Sequence, residues 1–520
     1  MARILVTEAL SSRGLEAMAA AGHEVDVRLD LSHDDLVEAI GGASALVIRS
    51  ATRVDHEVIG AGTDLVVIGR AGVGLDNVDV ATATKRGVMV VNAPESNILS
   101  AAELTMALLL AQARNIPQAH AALTEGRWER SRWEGIELHG KTLGVVGLGR
   151  VGALVAQRAS AFGMHIVAYD PYVAPERARR MGVELSSIDE LVARSDFITI
   201  HLPKTQETIG LFGKELLSKA KPGVRIVNAA RGGIVDEEAL AEAIRSGQVA
   251  GAALDVFATE PTTQSPLFEL PTVVVTPHLG ASTGEAQDKA GEQIAEQVLL
   301  ALAGDFVPYA VNIEAGPASD VVRPFLEIAE ILGRFVAALS GGLPGELTVE
   351  YQGGLADEDV SLLTLGALKG LFSGGTEEPV SYVNAPRLAE ERGLVVSETH
   401  TATSPDRVSV IRVRSAEHSV SGALVAGSAR IVEVDDHDVE VPPADVMVVV
   451  RNDDRPGMIG VVGTVLGNAG VSIANMAVGQ TKGGGTALMV LATDQLVPES
   501  VLSSLRAADG ILEVSQATTA

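Results

Sequence analysis

The chain has 520 residues, enough for three or four domains at roughly 150 residues each. It carries 40 Lys and Arg against 67 Asp and Glu, a formal net charge of −27, so phosphate backbones and anionic membrane surfaces are poor partners. With 47% hydrophobic residues, 3% aromatics and no cysteine, its cores are aliphatic, and disulfides, cysteine-bound metals and thiol chemistry are excluded.

From the first residue the pattern alternates short β-branched runs with helical stretches. Arg3–Thr7, Ala45–Arg49, Val66–Gly69 and Met89–Asn92 read as buried parallel strands, with helices such as Ser32–Ile40 and Ala81–Arg86 between them. An apolar helix over Ser100–Gln112 leads to a second α/β series. Its strands are Thr142–Gly147, His165–Asp170, Phe197–His201, Val224–Asn228, Gly251–Asp255 and Val273–Thr276. Gly284–Ala303 reads as a helix that folds back onto the first unit. The expected organisation is a first domain over 1–98 completed by 285–303, and a second over 99–284. Both are doubly wound parallel-sheet α/β domains, and a cleft lies between them. A turn-rich boundary at 315–319 precedes an α+β domain over 317–440, whose clearest strands are Val408–Val413 and Ala429–Val434. A polar linker is read over Asp435–Asp445. The last module, 446–520, runs strand, helix, strand, glycine turn at 483–485, strand, helix, strand, which is the ferredoxin-like βαββαβ order. No stretch reads as a signal peptide or membrane span, so a cytoplasmic location is expected.

Chemistry concentrates in the second series. Gly147-Leu-Gly149-Arg150-Val151-Gly152 follows a strand and opens a helix, the setting in which glycines permit a tight turn, approach to a pyrophosphate and close helix packing. The helix start adds free N–H groups and a positive dipole end. Asp170, eighteen residues past Gly152 at the end of the next strand, suits the adenosine ribose and repels a 2′-phosphate, which favours NAD over NADP. Arg231, Glu260 and His278 each follow a strand of the same sheet and should converge on one crevice. An imidazole can move a hydroxyl proton, a carboxylate can hold the ring, and a guanidinium can clamp a substrate carboxylate and polarise a carbonyl.

The blocks Gly69–Asp79, Ser100–Thr105, Trp128–Arg130, Asn228–Glu237, Gly251–Phe257 and Pro277–Thr283 resemble those of the D-isomer-specific 2-hydroxyacid dehydrogenases, and within them the long-form phosphoglycerate dehydrogenases. The resemblance implies Rossmann-like domains, NAD as cofactor, no metal, and Arg231, Glu260 and His278 as the catalytic set. It implies further nucleotide contacts at Val73, Arg150, Val151, Asp170, Leu202, Ala229, Ala230, Asp255, His278, Leu279, Gly280 and Ala281. Substrate contacts are expected at Arg49, Arg70 and Asn97, at Arg231 and His278, and at Arg130, which by similarity reaches a neighbouring subunit's site. The implied reaction oxidises 3-phospho-D-glycerate to 3-phosphohydroxypyruvate, the first step toward serine. The alternatives are a hydroxypyruvate or glycerate reductase and a non-catalytic NAD-sensing protein. The terminal module resembles an ACT domain through Asp454-Arg-Pro-Gly457. Effector contacts carried over are Asn452, Asp454 and Ser472, with L-serine the expected effector, although serine-binding relatives commonly have Asn at the position of Ser472. A homotetramer, at least a dimer, is expected, with neither nucleic acid nor membrane as partner.

Overall fold

The computed structural model describes residues 1–313, 315, 318–373, 380–404, 408–480 and 485–518. The boundary read at 315–319 and the glycine turn read at 483–485 lie partly outside them. Strands β1 (Arg3–Val6), β2 (Glu24–Val27), β3 (Ala45–Ile48), β4 (Val67–Arg70) and β5 (Met89–Asn92) form an all-parallel sheet ordered β2-β1-β3-β4-β5. The helix Gly284–Ala303 begins at a Thr283 cap and ends at Gly304 with φ 77°. Its apolar stripe (Ala290, Ile294, Ala295, Val298, Ala301) packs into the core under this first sheet. The chain thus leaves the first domain at the 98–113 helix and returns to it with this one.

Between those helices lies a seven-stranded parallel sheet. Its strands are β6 (Thr142–Val146), β7 (His165–Tyr169), β8 (Glu184–Leu185), β9 (Phe197–Ile200), β10 (Val224–Asn228), β11 (Val249–Leu254) and β12 (Val273–Val275), ordered β12-β11-β10-β9-β6-β7-β8. The order reverses between β6 and β9, the switch point at which open α/β sheets leave a crevice beyond their carboxyl ends. Helices cover both faces, and two aliphatic cores lie on either side of the sheet.

The third domain differs from the expectation. Its sheet has six strands, β13 (Glu346–Gly353), β14 (Val395–Thr401), β15 (Ser409–Arg414), β16 (Ser419–Val425), β17 (Ser428–Val434) and β18 (His437–Val441), ordered β14-β13-β15-β16-β17-β18. The stretch read as a linker therefore contains β18. Asp435 and Asp436, with φ 45° and 60°, make the tight reversal, and His437, Val439 and Val441 alternate inward with Asp438 and Glu440 outward. The helices Leu326–Leu339 and Ser361–Ser373 pack on this sheet.

The last module has β19 (Val446–Asp453), β20 (Ile473–Gln480), β21 (Thr486–Thr493) and β22 (Ile511–Thr518) in the antiparallel order β20-β21-β19-β22. Helices Met458–Asn468 and Glu499–Arg506 cover one face. Met447, Val449, Leu488, Val490 and Ala517 on the other face join the core of the third domain. The two C-terminal modules therefore share one hydrophobic core. Among the described residues no helix is long and apolar enough to cross a membrane.

Candidate active site

The turn after β6 is built for close approach. Gly147 has φ 96°, and a Cβ there would lie 2.7 Å from the His201 carbonyl oxygen. A Cβ on Gly152 would lie 2.0 Å from the Gly147 carbonyl oxygen, so only glycine lets the helix sit this near the turn. Gly149 is different, since a Cβ there would meet no atom of the described residues within 4 Å. Gly149 is also the cap of the Arg150–Ala161 helix, and no side chain bonds to its first N–H groups. The result is an open cradle of free donors at a helix start, which fits the pyrophosphate of a dinucleotide. Asp170 stands beside it, its carboxylate accepting the Leu148 N–H at 2.8 Å and the Tyr172 N–H at 2.9 Å.

The cradle opens into a cavity of ≈ 360 Å³ between the first two domains. Of the residues named from the sequence, Val73, Asn97, Val151, Leu202, Ala229, Ala230, Arg231, His278, Gly280 and Ala281 line it. Asn97 caps the 98–113 helix without spending its side chain on it. Sequence reasoning left out Asp76, His201 and Lys204, which also line the cavity.

Asp255, expected at the nucleotide, lies behind the loop that carries His278. It is 0% exposed, and its carboxylate accepts from the Thr276 hydroxyl (2.6 Å) and from the Leu279 and Gly280 N–H groups (2.7 and 2.8 Å). Burial raises its pKa and those hydrogen bonds oppose the shift. It ties down the 276–280 loop through the backbone N–H groups of Leu279 and Gly280 and the hydroxyl of Thr276. Arg150 is exposed and forms a 3.0 Å ion pair with Glu95 of the first domain, across the cleft.

That tied loop delivers His278, at φ 55°, against Glu260. Nδ1 of the imidazole is 2.5 Å from Glu260 Oε2, and Oε1 of the same carboxylate accepts the Phe257 N–H at 2.7 Å. The hydrogen bond to Glu260 raises the His278 pKa against the opposing effect of burial. For Glu260, burial works upward, but the bonds from His278 and Phe257 outweigh it and the net shift is downward. With Nδ1 bound to the carboxylate, Nε2 is the nitrogen left to exchange a proton. The ring is 50% exposed in the cleft. The second histidine of the cavity, His201, is pushed by burial down to about 4, and its Nε2 lies 2.9 Å from the Thr199 hydroxyl. Two imidazoles border one cleft, and their surroundings suit only His278 to acid–base work.

Arg231 donates to the carbonyl of Ala230 at 2.7 Å and lies 3.8 Å from Asp76. Arg70, at the end of β4, has a fully buried Nε with no hydrogen-bond partner. Burial first, then the charges of Arg231 and Arg49, lower its pKa, while Asp76 and Glu8 act the other way. Arg49, Arg70 and Arg231 thus form one basic cluster. Arg130 is not part of it: it sits exposed on the Arg130–Trp133 turn, bordering a separate ≈ 580 Å³ cavity with Arg114, Trp133 and Glu134.

In the last module Asn452 is 1% exposed, with its Nδ2 donating to the Asp453 carbonyl at 2.7 Å and its Oδ1 buried without a partner. Asp454 accepts from Gln480 at 3.2 Å. Ser472 lies elsewhere. The register pairs Asn452 and Gln480 with Ala487, whereas Ser472 precedes Ile473, which pairs with Thr493 at the other end of β21. Seven residues of strand, about 23 Å, separate the two groups within one chain.

Comparisons with known proteins agree with this geometry. Residues 106–280 match the family described as D-isomer specific 2-hydroxyacid dehydrogenase, NAD binding domain. Residues 321–435 match the D-3-phosphoglycerate dehydrogenase intervening domain, and 446–510 the ACT domain. A D-3-phosphoglycerate dehydrogenase of Mycobacterium leprae is 52% identical over 514 residues, 97% of each chain. The chain belongs to the D-3-phosphoglycerate dehydrogenases. One from Synechocystis is 44% identical, covering 98% of this chain and 94% of its own. Among solved structures, the TT0316 protein of Thermus thermophilus aligns with 59% of this chain and 99% of its own, at TM-score 0.56 and 37% identity. A glyoxylate reductase from Paecilomyes thermophila covers 60% of this chain and 98% of its own, at TM-score 0.55 and 28% identity. Family membership makes the chain an NAD-dependent oxidoreductase with an ACT domain.

Proposed function

We propose that the chain oxidises 3-phospho-D-glycerate at C2 to 3-phosphohydroxypyruvate, supplying serine biosynthesis, and does so in the cytoplasm. The observation that carries the substrate is Arg70, a half-buried guanidinium beside two others, with its Nε unpaired. Holding like charges together in a low-dielectric pocket is unfavourable unless an anion completes it. A hydroxypyruvate or glycerate reductase has no phosphate to use for that, and a purely sensing protein has no use for the His278–Glu260 pair.

In this account Arg231 takes the substrate carboxylate and polarises the C2 oxygen, while Arg70 and Arg49 face the phosphate. Asn97 adds a polar contact. His278 Nε2 removes the hydroxyl proton during oxidation and returns it during reduction, and Glu260 steadies the imidazolium. The free N–H groups following Gly149 would hold the NAD pyrophosphate, and Asp170 its adenosine ribose. NAD supplies the acceptor for the hydride that leaves C2.

The pH dependence has a defined sign. Reduction needs protonated His278, so its rate falls as pH rises through the His278 pKa, and oxidation gains over the same range. Glu260 raises that pKa. In Glu260→Gln the limb of kcat/KM against pH should therefore move to lower pH in both directions, with kcat reduced. A limb that stays in place would remove Glu260 from the tuning of His278.

Regulation by L-serine and assembly into a tetramer belong to the same proposal. Asn452 and Asp454 lie at one end of the ACT sheet and Ser472 at the other, so one effector could touch all three only across two copies. Two features suit such pairing. The edge strand β20 exposes Ala474, Asn475 and Val478. On the helix Met458–Asn468, Gly460, Gly463 and Gly467 leave space that no described residue fills. Arg130 would likewise serve a neighbour's cleft. Initial rates of NADH oxidation with 3-phosphohydroxypyruvate, with and without L-serine, test both parts. Turnover that serine suppresses is expected. Absence of turnover would contradict the enzyme reading, and indifference to serine the effector reading.

A further inference from the structure

Lys204 lies in the loop beyond β9 and borders the cleft together with Arg231 and Asn97. Its side-chain end rests over the turn that carries Arg231. A Cβ on Gly233 would lie 3.6 Å from its Cε and 3.7 Å from its Nζ. The side chain is exposed and has no ion pair or hydrogen bond among the described residues. Two other lysines of this domain are engaged, Lys219 with Asp189 at 3.3 Å and Lys221 with Asp196 at 2.8 Å.

The charge balance of the cleft gives Lys204 a task, if the phosphorylated substrate proposed above is correct. Three guanidiniums, Arg49, Arg70 and Arg231, stand near two carboxylates, Asp76 and Glu8. Glu8 already accepts the N–H groups of Arg49, Ala51 and Thr52. The surplus is about one positive charge, against up to three negative charges on a phosphorylated hydroxyacid. Lys204 rests over the Arg231 turn beyond β10, whereas the helix start after β6 has its own donors for the dinucleotide. A lysine is a compact charge on a flexible stem, suited to a phosphate that must enter and leave past the rim.

We propose that Lys204 is a specificity-determining residue whose ammonium receives the phosphoryl group of the substrate at the mouth of the cleft. In Lys204→Gln of the full chain, KM for 3-phosphohydroxypyruvate should rise about tenfold, the loss of one ion pair at a partly desolvated site. KM for hydroxypyruvate, kcat, and the NADH dissociation constant from fluorescence titration should stay within about twofold of wild type, and Lys204→Arg should restore most of the loss. The fall of kcat/KM with ionic strength should be shallower in Lys204→Gln than in wild type. Equal increases in KM for both acids, a change confined to NADH binding, or no change at all would each overturn the inference. A wild-type enzyme that turns over the phosphorylated acid no better than hydroxypyruvate would instead remove the phosphate reading, and this inference with it.

Discussion

Replacing His278 by alanine should lower kcat by about 10²- to 10⁴-fold, the usual contribution of a positioned acid–base group, while NADH affinity stays near wild type. The separation follows from the architecture. The nucleotide cradle is made by the β6 turn and its helix, whereas His278 sits on the loop beyond β12, tied by Asp255 and held by Glu260 at 2.5 Å. Its removal leaves those loop bonds, which are made by backbone N–H groups, in place. His201 cannot substitute, because burial keeps it neutral down to about 4. Stopped-flow observation of NADH oxidation reads the chemical step and titration of NADH fluorescence reads binding. Unchanged turnover would take His278 out of the mechanism, and a matching loss of NADH affinity would show that the loop serves the cofactor instead.

The second large effect is expected at the glycine turn, where two substitutions should behave differently. In Gly152→Ala the new methyl would lie 2.0 Å from the Gly147 carbonyl oxygen, so the turn must move. Overpacking of that kind costs about 1–3 kcal/mol, and both melting temperature and NADH affinity should fall. In Gly149→Ala the methyl meets nothing among the described residues. Stability should be nearly unchanged while NADH affinity drops tenfold or more, because the methyl takes the space the pyrophosphate needs. If Gly149→Ala binds NADH as wild type does, the open space above Gly149 is not the phosphate site.

Much of this architecture was legible in the sequence. Wholly buried parallel strands show as short apolar runs, uninterrupted in Ala45–Ile48 and broken only by Thr199 in Phe197–Ile200, and the Gly284–Ala303 helix is marked by a threonine cap and a terminal glycine. What escaped has physical reasons. β2 is an edge strand of sequence Glu-Val-Asp-Val with no wholly buried residue, and β8 is two residues long. β18 hid behind paired aspartates that read as linker and proved to be a hairpin turn. At the site, the convergence of Arg231, Glu260 and His278 follows from strand ends and motif spacing. The bonds by which Asp255 ties the 276–280 loop do not, since residue type alone does not show which backbone N–H groups a carboxylate accepts. His201, read as the last residue of its strand, carried no sign that it borders the cleft, and Lys204 lies in the loop beyond β9. The separation of Ser472 from Asn452 depends on strand register, which no local pattern displays.

We propose that a basic cluster around Arg70, in a protein of net charge −27, selects a phosphorylated hydroxyacid for NAD-linked hydride chemistry. The most direct test is the ratio of kcat/KM for 3-phosphohydroxypyruvate to that for hydroxypyruvate, measured by NADH oxidation at matched ionic strength. A preference for the phosphorylated acid of about 100-fold or more, roughly 2.7 kcal/mol, is predicted. Equal efficiency on the two acids would contradict it.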